Sequence, residues 1–173
     1  YQEAFFTRSL QSWGFGLWKD RWFKFIDDKL ASDPYYLISK FDKAQIKAFN
    51  LDIKHDINWS MVIAISKGKL KNPIDLFREA HIFMNKGLCL SPRVSLVRNI
   101  GHDDSGVRCK TDRHVLNERL NNNKIISFPK ETIEDKKGLK DLQDFFNKKY
   151  SLRNRILNRL KIFYSKLEKI FFQ

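Results

Sequence analysis

The run "NPIDLFREAHIFMNKG", residues 72–87, restricts the fold more than any other stretch of this 173-residue chain. Asn72 is a preferred N-cap residue, and Pro73 suits the first helical position, where an N–H would have no intrahelical partner. Gly87 follows the last turn, where chains commonly leave a helix. The punctuation predicts a helix between Pro73 and Gly87. Asp33 and Pro34 form a second cap pair, for a helix running towards Phe49, and "INWSMVIAISKG" reads as an apolar helix closed by Gly68. In "WGFGLWKDRWFKFID", Trp13, Leu17 or Trp18, Arg21 or Trp22, and Phe25 recur at helical spacing. Short strands are expected in "EAFFTRS", "LCLSPRVSLV" and "KIISFP". The fold class is therefore α/β or α+β, mostly helical with a few strands.

Composition narrows the class further. A hydrophobic content of 42% and an aromatic content of 14% indicate a globular chain with a buried core, not a disordered one. No run of eighteen apolar residues and no signal-peptide pattern is present in the sequence. Cys89 and Cys109 make neither a metal spacing nor a disulfide framework, as expected in a reducing cytosol. The chain opens on Tyr1 rather than Met, which suggests a piece of a longer protein. A formal net charge of +13 calls for an anionic partner: nucleic acid, an anionic membrane or a phosphorylated substrate.

That charge is concentrated. Residues 150–173 carry six Lys or Arg and one acid. Past "FPKETIEDKKG" the sequence becomes charged and helical, so residues 1–130 read as the body and 131–173 as a charged helical tail. Leu152, Ile156, Leu160, Phe163, Leu167 and Ile170 make one apolar stripe, with Arg153, Arg155, Arg159, Lys161, Lys166 and Lys169 around it. Two readings fit: a helix in a membrane interface with its cations on anionic lipid, or a helix packed on its own domain. No recognised nucleic-acid-binding motif accompanies the charge, so no specific nucleic acid is expected.

The stretch "SLVRNIGHDDSGVRC", residues 95–109, places Asn99, Gly101, His102, Asp103, Asp104, Ser105 and Gly106 directly behind an apolar segment. Such a run forms Asx-type turns or approaches a ligand through its backbone. His102, Cys109 and His114 match no zinc-ligand spacing.

Three blocks in this order resemble the C-terminal half of bacterial family 2 glycosyltransferases with the GT-A fold, over about residues 1–110. "SWGFGLWKDRW" resembles a W-G-x-x-x-W-x-x-x-W block through Trp13, Gly14, Trp18 and Trp22. "NPIDLFREAHIFMNKGLCLSPRVSL" resembles a W-D-x-Q-W helix followed by N-G-L and a strand. "SLVRNIGHDDSGVRC" resembles S-L-V-x-N-I-G-x-D-G-S-G-x-H-C. The resemblance implies the acceptor-side half of an enzyme that moves a sugar from a nucleotide-sugar donor to an acceptor hydroxyl, with this chain alone expected to be inactive. The alternatives are a non-catalytic basic protein that binds anionic membrane or nucleic acid, or a decayed transferase. The group builds cell-surface polysaccharide and lipopolysaccharide, with saccharide or lipid-linked acceptors. A cytoplasmic location follows, at the inner face of the cell membrane if the tail docks there.

The resemblance also implies roles. Asp75, twelve residues before Gly87, would be the general base that takes the acceptor proton. Read as a residue alone, Asp75 is an N3 acid complementing the orphan N–H groups of its helix. Trp13, with Gly14, would stack the acceptor sugar, whereas Trp18 and Trp22 are read as core. Gly101, His102, Asp103, Asp104, Ser105 and Arg108 would close over the donor diphosphate. A divalent metal, Mg or Mn, is expected in the full-length enzyme with its ligands mostly outside this chain, since no D-x-D stands at a strand end. Three departures stand out: Ile74 replaces the Trp before Asp75, Phe77 and Arg78 replace Gln-Trp, and Arg108 replaces the His before Cys109. Asp104 also stands where the family has a glycine.

Overall fold

In the computed structural model, residues 2–27, 33–71, 73–103, 105, 119–154 and 156–157 are described. They form a mostly helical body with a small two-stranded antiparallel sheet, so the mixed α/β expectation holds at this level. Strand β1 (Ala4–Thr7) pairs with β2 (Cys89–Pro92), Ala4 facing Pro92 and Thr7 facing Cys89. Phe5, Phe6 and Thr7 are residue types that suit a pleated, half-buried surface.

The helices follow their caps. Helix α1 (Lys19–Ile26) starts later than the periodicity predicts, because Gly14 has φ +69° and Trp18 is extended at the N-cap. Asp33 caps α2 (Pro34–Lys40) by accepting from the Tyr35 and Tyr36 N–H groups, with Pro34 at the first position. The predicted run to Phe49 is broken at Phe41. Asp42 and Gln45 form a reciprocal capping box that starts α3 (Lys43–Phe49), and Phe41, in extended backbone, turns into the core. Helix α4 (Trp59–Ser66) has no cap of its own; Asn50 Oδ1 accepts from the Asn58 and Trp59 N–H groups at 2.9 and 3.1 Å. Asn58 Nδ2 in turn donates to the Phe49 carbonyl at 3.0 Å. Gly68, at φ +66°, closes α4 as predicted.

Helix α5 (Ile74–Met84) has Pro73 at the N-cap position rather than at N1, which moves Asp75 from N3 to the second helical residue. Asn72, read as the cap, lies outside the described residues. Past Met84 it is Lys86, at φ +52°, that takes the left-handed conformation. Gly87 instead lets the chain press close: an added Cβ would stand 3.2 Å from Ile82 Cγ2.

Leu76, Phe77 and Ala80 of α5 join Phe25, Leu37, Phe41, Phe49, Trp59, Val62 and Ile65 in one core. Phe41 stacks on Phe83 with ring centroids 5.6 Å apart and packs on Trp59 at 5.1 Å.

The segment read as a strand, "KIISFP", forms none. Glu3 intervenes: its Oε2 accepts from the Ile126 and Ser127 N–H groups, while the Glu3 N–H donates to the Ser127 carbonyl. A side chain thus takes N–H groups that a strand ladder would use. Residues 94–98 likewise carry no strand.

Helix α6 (Lys136–Lys149) is capped by Asp135, whose Oδ1 accepts from the Gly138 N–H at 2.6 Å. Asp135 Oδ2 pairs with Arg93 at 2.6 Å, Glu134 pairs with Arg8 at 2.6 Å, and Gln143 donates to the Leu51 carbonyl at 2.9 Å. The end of the chain enters the description only in part. Of the apolar stripe, Leu152 and Ile156 are described, and both are exposed. Leu160, Phe163, Leu167 and Ile170 lie outside the described residues. Among the described residues no helix is long and apolar enough to cross a membrane.

Gly138 lies so close to the Phe5 ring that an added Cβ would stand 2.5 Å from Phe5 Cε2. Gly→Ala inside a helix ordinarily stabilises by about 0.5–1 kcal/mol. Here Gly138→Ala is expected to destabilise by about 1–3 kcal/mol through overpacking. Thermal unfolding of Gly138→Ala, alone and with Phe5→Leu, checks this. The double variant should recover part of the stability; independent effects would contradict the close packing.

Candidate functional site

The middle of the site is the first turn and a half of α5. Arg78 is only 6% exposed although it carries a charge. Its guanidinium carbon lies 4.5 Å from the Phe15 ring centroid, 5.3 Å from Trp22 and 5.4 Å from Phe25. Three ring faces thus offer their negative quadrupoles to one cation. Arg78 Nη1 also donates to Asp75 Oδ1 at 3.3 Å, while Nε is buried with no hydrogen-bond partner. Asp75 keeps a half-exposed side chain. A carboxylate is therefore presented to solvent at the start of a helix, held from behind by a caged cation.

Trp22 belongs to this cage, and Trp18 is 76% exposed, so neither is the core residue that helical spacing suggests. Periodicity places both on α1 or at its cap; it does not say which face meets the core, and Phe25 alone on α1 is buried.

Trp13, half-exposed, sets its ring 5.6 Å from that of His102. Gly14 lies against Val97: an added Cβ would meet Val97 Cγ1 at 2.7 Å, and the positive φ independently favours glycine. The W-G segment therefore touches the 95–103 segment through Trp13 and Gly14, and touches α5 through Phe15 and Trp22. Asp75, Trp13, Gly14 and His102 belong to one continuous set of contacts built from segments some sixty to ninety residues apart in sequence.

In the loop behind Val97, the Gly101 N–H donates to Asn99 Oδ1 at 3.0 Å, opening a short 3-10 turn, Ile100–His102. Asp103 Oδ1 accepts from Ser105 Oγ at 2.5 Å and from Ser105 N–H at 2.9 Å. These bonds, the Ser105 hydroxyl first, hold the Asp103 carboxyl below its ordinary value. Asn99 and Asp103 thus make consecutive Asx-type turns. Asp104, Gly106 and Arg108 lie outside the described residues, as do Cys109 and His114. Among the described residues no three His, Cys, Asp or Glu side chains converge so as to hold a metal ion.

Glu79, one turn after Asp75, escaped the sequence reading. Burial pushes its carboxyl up to about 7, against hydrogen bonds from Ser9 Oγ, the Leu10 N–H and the Asn58 side chain; the Asp75 charge adds to the rise. Ser9 Oγ donates to Glu79 Oε1 at 3.2 Å. The same burial, with the Glu79 charge, pushes the Cys89 thiol up to about 11, which leaves it unreactive at neutral pH. One signal was available: Glu79 is three residues from buried Leu76 and next to buried Ala80, so it falls on the apolar side of α5.

The elevated Glu79 value makes stability pH-dependent. Between about 4.5, its ordinary value, and about 7, the folded chain holds a proton that the unfolded chain releases. Its contribution is therefore complete below pH 4.5 and is lost as pH rises to 7, a change of about 3 kcal/mol at most. Denaturant unfolding of the chain and of Glu79→Gln across this range checks it; Gln should flatten the slope, and an unchanged slope would remove Glu79 as its source. In comparisons with protein-family models, curated proteins and solved structures, this chain has no match.

Proposed function

We infer that the chain is the acceptor-side part of a GT-A-type glycosyltransferase that acts in cell-surface polysaccharide or lipopolysaccharide synthesis, with Asp75 as the general base. The observation that carries this reading is the Asp75–Arg78 pair. It sets a half-exposed carboxylate on a cation that is packed against Phe15 and Trp22 of the W-G segment, whose Trp13 packs on His102. In that arrangement an acceptor sugar stacks its C–H face on Trp13, and its hydroxyl approaches Asp75. The Asp75 carboxylate takes the hydroxyl proton as the oxygen attacks the donor sugar carbon. Arg78, packed against three rings, donates one hydrogen bond that orients the carboxylate. Ile74 and Arg78 do not supply the aromatic contacts that the family pattern would place there, for Ile74 is aliphatic and Arg78 is the caged cation.

The donor is a nucleotide sugar whose diphosphate meets the loop of Gly101, His102, Asp103 and Ser105. A divalent metal, Mg or Mn, would act in the full-length enzyme with ligands mostly outside this chain. Docking of residues 150–173 on the inner face of the membrane belongs to the same reading.

The test is nucleotide-sugar turnover by the intact protein and its Asp75→Asn variant. Loss of a general base should lower kcat about 10²–10⁴-fold with KM little changed. Circular dichroism should show the fold retained. An Asn variant with undiminished kcat removes Asp75 from the chemistry; an intact protein that turns over no nucleotide sugar removes the transferase reading.

A further inference from the structure

Beside the sheet, on residues that the transferase reading does not use, lies an open groove of about 870 Å³. Its lining includes Arg93, Arg98, Arg119, Asn121 and Asn123, with Glu3 as the carboxylate among the described residues. The groove is constructed rather than incidental. The Arg93 N–H donates to the Glu3 carbonyl, and the Asn121 N–H donates to the Ser95 carbonyl at 2.8 Å, which ties the lining segments around residues 3, 93–98 and 119–123 together. Arg93 is anchored by Gln2 O, by Asp135 and by the Phe5 ring 4.9 Å from its guanidinium carbon. Arg98 and Arg119 are exposed at the rim. The Glu3 carboxylate is occupied by the Ile126 and Ser127 N–H groups, which hold it below its ordinary value and absorb its charge locally.

We propose that this groove binds a small ligand bearing two or more oxyanion groups, phosphate or carboxylate, with Arg98 and Arg119 as the gripping residues. Guanidinium forks match both oxyanions in a bidentate manner, and side-chain amides supply further donors. A volume of this order suits a ligand larger than one phosphate. Arg93, already committed to Asp135, shapes the floor and adds to the positive field.

Because the whole chain is basic, the experiment must separate a site from diffuse attraction. Calorimetric titration of the full chain with inorganic pyrophosphate and with citrate, at constant ionic strength, reads affinity and stoichiometry. One saturable site is expected; tighter pyrophosphate binding assigns a phosphorylated ligand, tighter citrate binding a polycarboxylate. Arg98→Gln with Arg119→Gln should weaken it about tenfold or more for each guanidinium removed. Lys43→Gln with Lys47→Gln, an equal reduction of charge on exposed positions of α3, should leave it unchanged. Asp75→Asn should also bind normally, so failure of the transferase reading would not touch this one. Equal weakening in the two double variants, or titrations that never saturate at one site, would overturn the proposal. Unfolding curves for both double variants guard against loss of fold, and both pairs stand on exposed side chains.

Discussion

A charged guanidinium enclosed at Arg78 is the constraint around which the rest is arranged. Removing such a cation from water costs several kcal/mol unless partners surround it. Phe15, Trp22 and Phe25 provide ring faces, and Asp75 provides one carboxylate. To supply those rings, residues 13–22 must lie across α5. That requirement accounts for the non-helical backbone before α1 and for the exposure of Trp18, which is left outside the cage. The opposite side of α5 commits Leu76, Phe77 and Ala80 to the core. One helix therefore joins the aromatic segment to the body.

A second polar group, Glu79, is held on the same helix by Ser9, Leu10 and Asn58. It ties the end of β1 to the start of α4, as Asn50 and Asn58 tie α3 to α4. Around the sheet, ion pairs do similar joining. Arg8 reaches both Asp52 and Glu134, and Arg93 reaches Asp135. Burial alone would raise Glu134, but the Arg8 hydrogen bonds outweigh it and leave it lowered. Such partly buried pairs contribute mainly by fixing which segments meet.

Most helices were legible because their ends are local chemistry. Asp33 with Pro34, Gly68, and the Pro73 to Gly87 interval act within a few residues of themselves, whatever the tertiary fold. The break at Phe41 was equally local, since Asp42 and Gln45 stand at capping-box spacing, yet the Asp33–Pro34 signal concealed it. "KIISFP" has the composition of a strand, and only the distant Glu3 carboxylate determines that its N–H groups go elsewhere. Trp18 and Trp22 show the same limit from the other side: spacing identifies a helix but not the face it buries.

Of the candidate site, Asp75, Trp13, Gly14 and the Gly101–Ser105 run stood out as sequence, the first three through a resemblance that places them in order. Their contacts did not, because they join segments far apart in the chain. By itself the sequence determined the helical class, the Asp33–Pro34 start and the Gly68 stop, the basic surplus and the turn chemistry of Asn99 and Asp103, since each depends on neighbouring residues or on simple totals. Only the tertiary structure decided that Arg78 is caged, that Glu79 is half-buried against Ser9, and that Arg93, Arg98 and Arg119 face one groove. Burial and charge proximity are properties of side chains brought together across the chain, and no local pattern encodes them.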